Sequence, residues 1–269
     1  MKVHKMEDLS ESNGALMLLY GEPGVGKSVT SIQTAKCPIL YIMTEPRNVK
    51  NFIIAANRPD IDIDVAYYDK WDDTLEYIAN YENFDRYNTV ILDSLSHLIA
   101  INLSDEIMEE SFESLKNSTD TKKSVKDKPL TMRAKMSLEG FGSLGTQMLR
   151  FTNLLSKLSQ RGKVVVCLAR MEQNPKYNRM VGAAPTLSGK EYPKHMQGFF
   201  DFIGLVETRV EVNKETKEEK VAYPPLVSFE SDGSFMCKWT GFAPSGGVAD
   251  RWLDIEKILG IAYNPPSKK

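Results

Sequence analysis

Apolar residues along this chain fall into short, nearly unbroken runs, separated by stretches with a helical rhythm. Ala15–Tyr20, Ile39–Met43, Ile63–Tyr67, Thr89–Asp93 and Val164–Ala169 read as β-strands, and most are apolar at every position rather than at every second one. A strand of that kind is covered on both faces, as in a parallel sheet with helices on either side. Helix-like segments follow at Lys27–Ala35, Val49–Asn57, Trp71–Asn80 and roughly Met136–Gln160. The alternation predicts an α/β fold: a mostly parallel sheet with helices on both faces.

After Asp201 the pattern changes. "FIGLVETRVEV", the charged "NKETKEEK" and "VAYPPLVSFE" read as an antiparallel hairpin. "FMCKW" is a candidate further strand, and Ala249–Leu259 a short closing helix. There is no internal repeat, and Asn117–Pro129 and the tail "NPPSKK" are the low-order candidates. The expectation is one domain over residues 1–269, with a core at about 14–212 and a C-terminal β-hairpin and helix extension at about 213–269.

Composition narrows the functional classes. A net charge of −2 gives no global field toward nucleic acid or membrane, so any such binding must come from local patches. Cys37, Cys167 and Cys237 are odd in number and far apart, which argues against a disulfide framework or zinc spacing and fits a reducing compartment. No run is long enough to cross a bilayer, and "MKVHKMEDLSESNG" lacks the apolar centre of a signal peptide. The expectation is a cytoplasmic protein with no membrane partner.

One stretch carries chemistry. Gly21-Glu22-Pro23-Gly24-Val25-Gly26-Lys27-Ser28, running on into Val29, matches G-x-x-x-x-G-K-[ST] between a strand and a helix. The glycines let backbone amides converge on phosphates, Lys27 adds a charge, and Ser28 can ligate Mg²⁺ while the helix N-terminus faces the same anion. The motif predicts binding of ATP with Mg²⁺. The metal also needs a carboxylate at a neighbouring strand end, and Asp93 in "YNTVILDSLSHL" supplies one, whether or not it also caps the next helix. The residue after Asp93 is Ser94, not a glutamate, so a base must come from another strand. Glu45 in "ILYIMTEP" lies where ligands collect in open α/β sheets, a solvated loop position being the alternative.

These residues resemble the ATPase core of the RecA/RadA recombinases over about Gly14–Val212, most specifically through Asp93. The resemblance implies a RecA-like P-loop NTPase core in which Glu45 activates water and Asp93 organises Mg²⁺. Phe52 stands seven residues past Glu45, the spacing at which bacterial members stack an aromatic on adenine, although it also suits the core. Arg170, in "KVVVCLARMEQN", takes the place of a polar residue that senses the γ-phosphate; bacterial members have glutamine there, and a surface arginine is an equal reading. In filaments of this family lysines just past the next loop reach the ATP of an adjacent subunit, a role open to Lys190 and Lys194. With no large N- or C-terminal domain expected, the chain is most similar to small phage-encoded RecA-like proteins that anneal single strands in recombination, which would place it in a bacterial host cytoplasm.

That reading brings partners with it: single-stranded DNA, further copies of the chain in a ring or filament, and a single-strand-binding protein. Two stretches are locally basic. Lys116–Lys135 has seven Lys/Arg against two Asp, beside an acidic Ser104–Leu115; Arg170–His195 has five Lys/Arg against two Glu, with Tyr177 and Tyr192 available for stacking on bases. The second suits a mobile DNA-contacting loop. Alternatives remain: a hexameric DNA motor (helicase or packaging ATPase), which needs an arginine finger; a nucleotide kinase, for which Arg170 and Arg179 are too few to form a lid; and an ATP-dependent switch that binds a protein and no nucleic acid.

Overall fold

A computed structural model of the chain describes residues 14–116, 136–178, 180–189, 191–212, 217, 219–242 and 251–263. Its elements are β1 (Ala15–Gly21), α1 (Lys27–Thr34), β2 (Ile39–Met43), α2 (Val49–Ala56), β3 (Ile63–Tyr67), α3 (Trp71–Ala79) and β4 (Thr89–Asp93). The short α4 (Leu95–His97) passes through a widened turn at Leu98–Leu103 into α5 (Ser104–Lys116). Then come α6 (Leu138–Ser159), β5 (Val164–Gln173), β6 (Ala183–Pro185), α7 (Glu191–His195), β7 (Phe202–Val212), β8 (Glu219–Ser228), β9 (Arg251–Trp252) and α8 (Ile255–Tyr263).

The strands form one sheet in the order β3-β2-β4-β5-β1-β7-β8-β9, with β6 paired to the end of β5. From β3 to β7 every neighbour is parallel, while β8, β9 and β6 run antiparallel to their partners. The expected α/β fold, with its parallel core and C-terminal hairpin, is the fold observed.

The unbroken apolar runs follow from burial on both sides. In β1, Leu16, Leu18 and Tyr20 join Trp71 and Ile78 of α3 and Phe151 and Leu155 of α6 on one face. Their neighbours Ala15, Met17 and Leu19 join Ile32 of α1, Val49 and Ala56 of α2 and Ile255 and Ile258 of α8 on the other. Side chains alternate across a strand, so a sheet with two cores needs apolar residues at both parities. Truncating a buried leucine such as Leu18 to alanine would cost about 2–5 kcal/mol.

Some expectations shift. The closing helix starts at Ile255 rather than Ala249, because Asp254 turns the chain: its carboxylate accepts the Lys257 amide at 3.0 Å and its carbonyl the Ile258 amide at 2.9 Å. "FMCKW" adds no regular strand; Phe235 and Lys238 make two isolated bridges, to Ala183 and Ile203. The longest helix begins at Leu138 because the Ser137 hydroxyl accepts the Gly140 amide at 3.0 Å and caps it. β5 continues four residues past Ala169, so Arg170 belongs to a strand rather than to a loop. Among the described residues no helix is long and apolar enough to cross a membrane.

Candidate functional site

Strand register brings the predicted residues to one edge. Gly21 stands opposite Arg170, while Met43 and Leu168 flank Asp93. The loop after β1, Glu45 just past β2, Asp93 closing β4 and Arg170 in β5 therefore meet at the carboxyl ends of the parallel strands, where open α/β sheets hold ligands. They open onto a cavity of about 800 Å³, a size suited to a small-molecule ligand.

Pro23, Gly24, Gly26, Lys27, Ser28 and Val29 line this cavity. Gly21 closes β1, Glu22 is exposed, and Val25 is turned into the core as the loop's anchor. Gly24 and Gly26 have φ of 86° and 96°, in the left-handed region that favours glycine. Gly26 caps α1 without a side-chain hydrogen bond, and the first turn holds no acid. The amides that open the helix are thus left for an anion. Lys27 donates from Nζ to the carbonyls of Gly21 and Glu22, both at 2.8 Å. Burial lowers its pKa to about 8, although Asp93 and Glu22 pull the other way.

Asp93 is buried, and its Oδ2 accepts two hydroxyls: Ser28 Oγ at 2.7 Å and Tyr41 at 2.5 Å. Tyr41 is fully buried, and burial together with the Asp93 charge pushes its phenol well above the usual range, so it serves as a donor. A second set of bonds joins β2 to β4. The Thr44 amide donates to the Asp93 carbonyl at 2.9 Å; Thr44 Oγ1 donates to the Ser94 carbonyl at 2.9 Å and accepts the Ser94 amide at 2.8 Å. The peptide between Asp93 and Ser94 is cis. Ser94, not Asp93, caps α4, accepting the His97 amide at 3.2 Å.

Glu45 is not a solvated loop residue, being only 6% exposed. Its Oε1 accepts Ser94 Oγ at 2.8 Å and the Arg170 guanidinium at 3.0 Å; its Oε2 pairs with Arg47 at 2.6 Å. Burial alone would raise this carboxyl, but Ser94, Arg170 and Arg47 outweigh it and hold it below the usual range. Thr44 thus joins the strand ends that bear Glu45 and Asp93, and Ser94 holds the Glu45 carboxylate.

The donor set fits a Mg²⁺–triphosphate. One hydroxyl and one carboxylate suit a cation that keeps waters and takes its other ligands from phosphate. A Cβ added at Gly24 would meet nothing within 4 Å, so the loop stands open on its ligand side. One at Gly26 would stand 2.9 Å from the Tyr223 ring.

Phe52 lines the cavity while packing partly against the core, so both of its expected roles have a basis in position. Arg170 also lines it, turned toward Glu45. Lys194 is exposed on α7 and does not line it. Lys190, Arg179 and the basic stretch beyond Lys116 lie outside the described residues. The Arg170–His195 stretch is not the open loop expected of it. β6 folds back onto β5, Tyr177 donates to the Pro185 carbonyl at 2.5 Å, and Tyr192 is buried against Thr152 Oγ1 at 3.0 Å. Tyr192 is thereby closed to a base, whereas Tyr177 is half-buried with its hydroxyl engaged.

Four contributors were not anticipated. Tyr41 and Thr44 carry a weak signal as polar-tipped residues in a buried strand and at its end. Arg47 lies two residues past Glu45. Tyr223 comes from the distant hairpin and carries no local signal at all.

A family model described as an AAA domain matches residues 13–224, a segment that ends just past Tyr223. No curated protein matches the chain.

Proposed function

This chain belongs to the AAA-domain family of P-loop ATPases, and on that premise we propose that it binds Mg-ATP and hydrolyses it to change its affinity for single-stranded DNA. The observation that carries the reading is the junction of Thr44, Ser94 and Glu45, which ties a carboxylate base to the strand end that bears Asp93, inside the cavity that Lys27 lines.

The loop amides and Lys27 bind the phosphates, and Tyr223 and Phe52 flank the space left for the base. Bound Mg²⁺ would neutralise charge developing on the transferred phosphoryl group. Ser28 and Asp93 would hold that metal, with Tyr41 fixing the carboxylate from behind. Glu45 accepts a proton from the attacking water, and Arg170, which lines the same cavity, would meet the terminal phosphate. A RecA-like role in phage recombination or replication, by annealing or exchange, is the finer reading, with assembly into a ring or filament. Lys176 and Lys194, both exposed, would carry the backbone of the strand, since Tyr192 is buried.

A second reading, an ATP switch for a protein partner, is favoured by the inward Tyr192. Turnover of ATP with and without single-stranded DNA, measured for the wild type beside Lys27→Ala, separates the two. DNA stimulation that disappears in the variant supports the first. A flat response with ATP still bound supports the second, and phosphate appearing on a second nucleotide refutes both.

A further inference from the structure

We propose that Arg47 distinguishes ATP from ADP within the same chain, by exchanging Glu45 for the terminal phosphate and so releasing the base only when a third phosphate is present. The inference rests on the nucleotide-binding reading above and deepens it.

Arg47 sits in the turn after β2, where its own amide donates to the Glu45 carbonyl at 2.8 Å. That bond fixes the root of the side chain beside the carboxylate it pairs with. Its guanidinium meets Oε2 of Glu45 at 2.6 Å, and the side chain is 48% exposed while Glu45 is 6% exposed. The two partners differ in freedom: the acid is held by Ser94 and Arg170 on its other oxygen, whereas the arginine faces the open cavity. Lys27 lines the same cavity, and the Arg47 charge is felt at its ammonium. With the inner phosphates of a nucleotide drawn to Lys27 and the loop, a third phosphate competes directly for this arginine. A guanidinium has five donors in a rigid fork, which suits phosphate oxygens as well as carboxylate.

With Arg47 on Glu45, the carboxylate oxygen it occupies is a weaker and more crowded base toward water. Transfer of Arg47 to a terminal phosphate uncovers that oxygen. ADP, one phosphate shorter, leaves the pair intact. The residue thereby ties recognition of the third phosphate to the availability of the base.

The test is the binding of ATP and of ADP, each with Mg²⁺, to wild type, Arg47→Ala and Arg47→Lys, by calorimetry. The expected result is ATP affinity lower by about 3- to 10-fold in Arg47→Ala with ADP affinity unchanged, the surplus of a forked phosphate contact over the carboxylate pair it replaces. Arg47→Lys, which keeps the charge without the fork, should fall between. Equal weakening of both nucleotides, or no change in either, overturns the inference and leaves the site's assignment standing. A wild type that binds neither nucleotide overturns the site's assignment, and this inference falls with it.

Discussion

The hydroxyl of Tyr41 offers a test in which a single oxygen is removed and little else moves. Tyr41 is fully buried in β2, two residues before its strand ends opposite Asp93, and its ring lies in one of the two cores. Tyr41→Phe keeps that ring and deletes the donor that reaches Asp93 Oδ2 at 2.5 Å. Hydrogen bonds to charged groups contribute about 1.5–3 kcal/mol, and Asp93 keeps the Ser28 hydroxyl, so a loss of about 2 kcal/mol is expected. For a chain of this size that lowers Tm by roughly 4–8 °C. If Asp93 holds Mg²⁺ as proposed, Tyr41 orients that carboxylate from behind, and removing such a partner weakens metal binding by about 10- to 100-fold. Thermal unfolding followed by circular dichroism reads the first effect, and a Mg²⁺ titration at saturating ATP reads the second. A variant that melts within about 1 °C of the wild type with an unshifted Mg²⁺ midpoint would refute the role given to this pair.

Further outcomes follow from the same contacts. Stability of the nucleotide-free protein should rise from about pH 8, because folding holds the Lys27 pKa below its ordinary 10.5 and the unfolded chain binds the extra proton in that window. The rise should level off near pH 9, where unfolded cysteines ionise while burial keeps the Cys167 thiol protonated, and turn downward near pH 10, where unfolded tyrosines ionise and the buried Tyr41 does not; denaturant melts between pH 8 and 9 should show the rise in wild type and lose it in Lys27→Met. Glu45→Gln should cut phosphate release by roughly 10²- to 10⁴-fold with ATP binding retained, and undiminished release would assign the base elsewhere. Gly26→Ala should cost about 1–2 kcal/mol from its positive φ, with an added cost from the new contact with Tyr223. Tyr223→Ala in that background should recover only the contact, and full recovery in denaturant melts would contradict the backbone argument.

Much of this protein was legible along the chain because its signals are local. A strand buried on two faces must be apolar throughout, so β1, β2 and β4 stood out, and Asp93 and Glu45 were conspicuous as acids at the ends of such runs. The phosphate loop is a backbone device, written in glycines that few other residues can replace at positive φ. The Arg170–His195 stretch misled for the same reason: prolines, glycines and cations resemble a solvated loop locally, whereas a buried tyrosine looks no different in sequence from an exposed one. Tyr192 found Thr152 forty positions away, a contact no window around either residue contains.

Sequence alone determined the α/β class, the glycine loop between β1 and α1, and the two acids at strand ends that meet beside it, because each depends on residues within a few positions of one another. Only the tertiary structure decided that Glu45 is clasped by Arg47 and Arg170, that Tyr41 backs Asp93, and that Tyr223 leans over the loop from a strand almost two hundred residues on. Strand order and register set those meetings, and they arise from packing a whole sheet between two cores, a property no short stretch of chain possesses.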